Sequence, residues 1–104
     1  MQDRRGPRVR PRSAVTAAIE AFEDDFAFGV VANISEGGAC ICTDRILRVG
    51  GPVTVQLNFI GQDEPVPLEC HVVWCGEAPG SVYRYGVQWV RPAGSQLRRL
   101  IRDC

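Results

Sequence analysis

The sequence predicts an all-β chain: a small antiparallel barrel followed by one short helix. Three observations predict it. Short apolar or alternating segments recur at roughly even spacing between Phe26 and Val90, separated by stretches rich in Gly, Pro, Asp and Ser. After Pro92 the apolar period changes from that of a strand to that of a helix. The length, 104 residues, suits one domain with a modest core. Closing one layer of strands into a barrel would remove every exposed strand edge.

Residues 1–12 contain Gly6, Pro7 and Pro11, which exclude regular helix and limit sheet pairing, so they are expected to form an irregular arm. Ser13–Asp25 is ambiguous. Its alanines favour helix, whereas the alternation of Val15, Ala17, Ile19 and Ala21 suits a strand. FAFGVVANI (Phe26–Ile34) and ACICT (Ala39–Thr43) read as a hairpin around Ser35–Gly38. PVTVQLNFI alternates cleanly and points Val53, Val55, Leu57 and Phe59 inward. LECHVVWC places Leu68, Cys70, Val72 and Trp74 on one face. VYRYGVQWV places Tyr83, Tyr85, Val87 and Trp89 inward, with Arg84, Gly86 and Gln88 outward. Trp74 and Trp89 are therefore expected in the core, and the aromatic residues as a whole on the inward phase. Leu97, Leu100 and Ile101 recur at helical spacing opposite Arg98, Arg99 and Arg102, with Ser95 as the N-cap. The expected organisation is an arm over 1–12, a barrel over 13–91 and a helix over 95–103.

The formal net charge is zero, so the protein as a whole is no polyanion binder, but its charge is unevenly placed. All 12 basic residues are arginine, and five of them fall in residues 1–12. Residues 20–25 carry Glu20, Glu23, Asp24 and Asp25, of which the adjacent Asp24 and Asp25 read as a solvated turn and not a metal site. No apolar run approaches the roughly 20 residues that a membrane span needs, and no apolar stretch follows the basic N-terminus as in a signal peptide. The expectation is a cytoplasmic protein without membrane insertion. Five cysteines, an odd number, suggest no disulfide framework.

Little points to catalysis. The single histidine, His71, lies mid-strand beside Glu69 on the polar face. No nucleophile–base order, nucleotide-binding glycine loop or carboxylate pair stands out, so the chain is not expected to be an enzyme. Cys40 and Cys42 share a strand face, but C-x-C is not the usual zinc spacing. Cys70 and Cys75, five apart, would face opposite ways on a strand. The cysteines read as small buried hydrophobes, with no metal and no cofactor expected.

Two stretches ask for more. RRGPR (Arg4–Arg8) crowds guanidinium groups onto the arm, and NISEGG (Asn33–Gly38) is more than turn chemistry requires. As a plain hairpin turn it would use Asn for local capping and Gly for positive φ. Its polar side chains and exposed amides also make a surface open to a ligand. RRGPR fits R-x-x-x-R with Arg4 and Arg8, and NISEGG fits [D/N]-x-S-x-x-G with Asn33, Ser35 and Gly38. In order and separation the pair resembles the PilZ domain, a bacterial receptor module for cyclic di-GMP. HVVW followed by YRYGVQWV is similar to the last two barrel strands of that family, and LRRLI sits where its short helix would.

The resemblance implies a six-stranded antiparallel barrel of PilZ type, with Ser13–Phe22 as its first strand. It also implies a ligand, cyclic di-GMP, and a set of contacts. Arg4 and Arg8 would clamp guanine and phosphate groups, with Arg5 contributing. An arginine fork matches guanine N7 and O6, or a phosphate, by two parallel hydrogen bonds, and its plane stacks on a purine. Asn33, Ser35 and Gly38 would line the opposite side on the barrel surface. Asn33 would offer an amide to a guanine edge, Ser35 a donor or a support for the turn, and Gly38 room for close approach. Asn in place of Asp removes a carboxylate that would pair with guanine N1 and N2. A chain of this length, a monomer or weak homodimer, is expected to act through an unidentified downstream protein. The alternatives are a PilZ-like adaptor that does not bind the nucleotide and a barrel that binds single-stranded nucleic acid. The second is disfavoured by the expected inward aromatics and the absence of net positive charge, so no DNA or RNA partner is expected.

Overall fold

The computed structural model describes residues 11, 14–22, 25–78, 80 and 82–103, without the side chains of residues 21, 22 and 25. Six strands, β1 (Val15–Phe22), β2 (Asp25–Ile34), β3 (Gly38–Thr43), β4 (Pro52–Phe59), β5 (Val66–Ala78) and β6 (Val82–Trp89), precede one helix, α1 (Ser95–Asp103). The strands close into a barrel in the order β1-β2-β3-β6-β5-β4. Every neighbouring pair is antiparallel. The ambiguous first segment is a strand because its alternation fits the barrel. Val15, Ala17 and Ile19 point inward and are almost fully buried, and packing overrides alanine's helical preference.

The inward rows of the other strands complete the core. Val53, Val55, Leu57 and Phe59 of β4 meet Cys70 and Val72 of β5 and Tyr85, Val87 and Trp89 of β6. Small residues take inward places where large neighbours fill the narrow interior: Ala27 pairs with Ile19, and Gly29 with Ala17. A Cβ on Gly29 would lie 2.8 Å from Ile41 Cγ2 and 2.6 Å from the Cys42 carbonyl oxygen. This crowding puts the bulky residues of β2 on the outside. Phe26 and Phe28 are exposed, contrary to the expected inward aromatics, and with Val30 they form an apolar stripe.

Two β-bulges decide further side-chain directions. One lies between Val72 and Trp74 on β5 and moves Trp74 to the outer face, where it pairs with Gly86 and is 41% exposed. Trp74 is therefore not a core residue, whereas Trp89 is. The same bulge brings Cys75 opposite inward-facing Tyr85, so Cys70 and Cys75 share a face instead of opposing one another. Cys70 is buried, Cys42 half-buried and Cys75 exposed, so burial does not hold for all the cysteines. Burial, with Glu69 alongside, pushes the Cys70 thiol up to about 12, so it stays neutral and acts as an apolar filler. The second bulge, between Val31 and Asn33, shapes the candidate site.

The two barrel ends are closed differently. At one end the connection from β3 to β4 crosses over the interior and inserts Leu47. Its anchor is the Tyr85 hydroxyl, which accepts from the Leu47 N–H (2.8 Å) and donates to the Arg45 carbonyl (3.1 Å). Burial raises the Tyr85 pKa, keeping the phenol protonated as that donor. Tyr85→Phe would orphan the Leu47 amide and is expected to cost about 1–3 kcal/mol in urea denaturation. At the other end α1 buries Leu97 and Ile101 and exposes its arginines. The first helical hydrogen bond runs from the Arg98 N–H to the Gly94 carbonyl, so Gly94 holds the cap position and Ser95 is the first helical residue. Among the described residues no helix is long and apolar enough to cross a membrane.

Candidate functional site

The NISEGG turn joins β2 to β3 at the barrel end where β1 begins and β6 ends, as the antiparallel pairings require. The chain therefore enters the barrel at Val15 on the same end as the turn. Arg4, Arg5 and Arg8 lie outside the described residues, as do Asp24 and Cys104.

Simple alternation along β2 would point Asn33 inward, on the same side as Val31. The bulge adds one residue, Ala32, and turns Asn33 outward opposite Cys40. Asn33 is half-buried there and already engaged in an interaction within the chain. The register continues the row outward across the sheet: Asn33 pairs with Cys40, Cys40 with Gly86, and Gly86 with Trp74. A parallel row runs from Val30 through Cys42 and Arg84 to Gly76. A third runs from Gly38 through Gln88 to His71. Asn33, Trp74, Arg84, Gln88 and His71 thus share one outer face. His71 is exposed there, as its strand position suggested.

Ser35 and Gly38 hold the turn. Ser35 is buried; its hydroxyl donates to the Gly38 carbonyl (3.3 Å) and accepts from the Gly37 N–H (3.2 Å). Its own N–H also donates to the Gly38 carbonyl, at 2.8 Å. The Trp89 N–H donates to the Gly37 carbonyl at 2.9 Å, tying the turn to the end of β6. Gly38 is buried, and a Cβ there would collide with the Val87 carbonyl oxygen on β6. Both residues fix the backbone from which Asn33 projects. Ser35→Ala removes both hydroxyl bonds and is expected to cost about 1 kcal/mol in urea denaturation.

Trp74 and Arg84 join this face from outside the two motifs. For Trp74 the sequence signal was its company: glycines at 76 and 86, on the two consecutive strand segments LECHVVWC and VYRYGVQWV and their junction. The outward stripe of β2 (Phe26, Phe28, Val30) borders a groove that also takes in Thr16, Cys42 and Asn58. Among the described residues no group of three or more His, Cys, Asp or Glu could hold a metal ion.

A family model described as PilZ domain matches residues 2–104. The chain is similar in fold to an inhibitor of motility from Bacillus subtilis (MotI/DgrA), with a TM-score of 0.76 at 15% identity over 100% of this chain and 50% of that one. It is also similar to the PilZ domain of YcgR from Escherichia coli with c-di-GMP: TM-score 0.74, 15% identity, 97% of this chain and 87% of that one. A third similar structure is the MrkH–c-di-GMP complex of K. pneumonia: TM-score 0.72, 16% identity, 99% and 51% of the two chains. The chain thus spans half the length of the Bacillus subtilis protein. No significant match is found among curated proteins.

Proposed function

Because the chain belongs to the PilZ domain family, we propose that it is a cyclic di-GMP receptor. In this reading the ligand lies on the outer face beside the NISEGG turn. Asn33 meets it directly, while Ser35 and Gly38 hold the turn that presents Asn33. Arg4 and Arg8, with Arg5 in support, close over it from the arm. The change in the arm is passed to a partner protein.

The observation that carries this reading is the bulge at Ala32. It puts the motif's Asn33 on the outer face, at the end of the barrel where the chain enters β1. The c-di-GMP complexes of YcgR and MrkH, similar in fold, support the ligand's identity. The chemistry agrees: a dianion with two guanines suits arginine forks and an amide, and needs no metal. Isothermal titration calorimetry of the purified chain with cyclic di-GMP and with GTP tests it. Micromolar or tighter binding of the cyclic dinucleotide alone is expected. A folded protein that gives no heat with either nucleotide would rule the receptor out.

One observation favours a second reading, a PilZ-type adaptor that does not bind the nucleotide. The exposed stripe of Phe26, Phe28 and Val30 is the kind of apolar surface that marks protein contacts. The calorimetric result separates the two. Exposed aromatics also remove one of the two arguments against a nucleic-acid-binding barrel. The zero net charge remains against it.

A further inference from the structure

Closure of the barrel leaves one strand edge uncovered. β4 pairs with β5 only as far as Pro52 and His71. The Gly50 N–H then donates to the Val72 carbonyl (2.7 Å), and the Val72 N–H to the Gly51 carbonyl (3.0 Å). Beyond Val72, residues 73–78 pair with β6 alone, and among the described residues no other backbone bond reaches them. Their far side is an open edge, along which Val73, Trp74, Cys75 and Glu77 are exposed.

The ladder decides which backbone groups point there. Val72 turns its N–H and C=O away from β6, so it forms a non-hydrogen-bonded pair with Val87. Bonding alternates along an antiparallel strand, so Tyr85 and Tyr83 of β6 also turn their backbone away from β5. Their partners Cys75 and Glu77 therefore direct their N–H and C=O groups to the open edge. Such a row of unpaired groups is a template for another strand.

We infer that this edge pairs with the same edge of a second copy of the chain, antiparallel, about a two-fold axis through Gly76. In that register Cys75 of each copy lies opposite Glu77 of the other, and each such pair exchanges two hydrogen bonds. The open donors and acceptors of Cys75 and Glu77 are then matched in both copies. Gly76 lies opposite Gly76, so no side chains collide on the axis. Neighbouring registers fit less well. Glu77 opposite Glu77 would oppose like charges. Cys75 opposite Cys75 would set Glu77 against Val73, where the bulge interrupts the ladder. A strand from another protein would have to bring this match in its own sequence, whereas a copy carries it already. The contact is small, so the dimer is weak and depends on concentration. None of the paired residues belongs to either motif.

Sedimentation equilibrium of the purified chain tests the edge. The average mass is expected to rise from that of one chain toward twice that value between about 1 μM and 1 mM, as a small interface requires. Glu77→Pro removes an N–H that bonds nothing within the barrel, so it is expected to weaken the dimer 10-fold or more with its thermal midpoint preserved. Cysteine cross-linking reads the register even if that variant folds poorly. In a non-hydrogen-bonded pair the Gly76 Cα atoms would lie about 4.5 Å apart, within disulfide reach. Cys75→Ser/Gly76→Cys, oxidised with diamide, is expected to give a disulfide-linked dimer that the Cys75→Ser parent does not. Monomer mass through 1 mM, with no such cross-link, would overturn the pairing and leave the edge to a strand of another protein. A dimer that survives Glu77→Pro and is dissolved by Phe28→Glu would also overturn it, placing the contact on the β2 stripe.

Discussion

Replacing Arg4 and Arg8 together by alanine is expected to weaken cyclic di-GMP binding by roughly 10²–10⁴-fold. Hydrogen bonds to charged groups contribute about 1.5–3 kcal/mol each, so losing two arginine contacts costs about 3–6 kcal/mol, at 1.4 kcal/mol per tenfold. The thermal midpoint is expected not to move, because removing two charged side chains takes no apolar filler from the core. Lysine at both positions should rescue little. It restores charge but not the planar fork that matches a guanine edge or a phosphate in two parallel bonds. Calorimetry on the three proteins, with thermal unfolding alongside, checks both halves. Wild-type affinity in the double alanine variant would remove the arm from the binding mechanism.

The second large effect falls on stability. Gly38→Ala is expected to destabilise the barrel by about 1–3 kcal/mol, which for a domain of this size lowers the melting temperature by roughly 4–20 °C. The added Cβ points at backbone, colliding with the Val87 carbonyl oxygen and lying 3.2 Å from Gln88 Cα. No rotamer change relieves a clash with backbone, so the seam between β3 and β6 must open. The strain enters the turn directly, because Ser35 holds the Gly38 carbonyl through both its N–H and its hydroxyl. Affinity for cyclic di-GMP should fall along with stability. Differential scanning calorimetry decides the matter. An unchanged melting temperature with lost binding would mean that Gly38 serves the ligand and not the seam.

Much of the fold is legible in the sequence because period-two alternation and barrel burial coincide. Val53, Val55, Leu57 and Phe59 were recognisable as one inward row, and all four are buried. The helix was legible for the corresponding reason, with Leu97 and Ile101 one turn apart on its buried side. Bulges defeat this reading. An extra residue at Ala32 or Val73 reverses every later side chain on its strand without altering the apolar composition. That reversal moved Trp74 out of the core and Asn33 onto the surface. Phe26 and Phe28 misled for a different reason: the inward places of that stretch go to Ala27 and Gly29, because Ile19 and Ile41 already fill the interior there. The two motifs were visible as patterns, but the division of labour within NISEGG was not. Which residue projects and which ones brace the turn depends on register, and register is set across strands distant in sequence.

Amide hydrogen exchange with and without cyclic di-GMP follows the arm and the turn in one experiment. The ligand is expected to slow exchange in residues 1–12 and in residues 33–38 together. Saturating binding that leaves residues 1–12 exchanging as fast as in the free protein would rule out closure of the arm over the ligand.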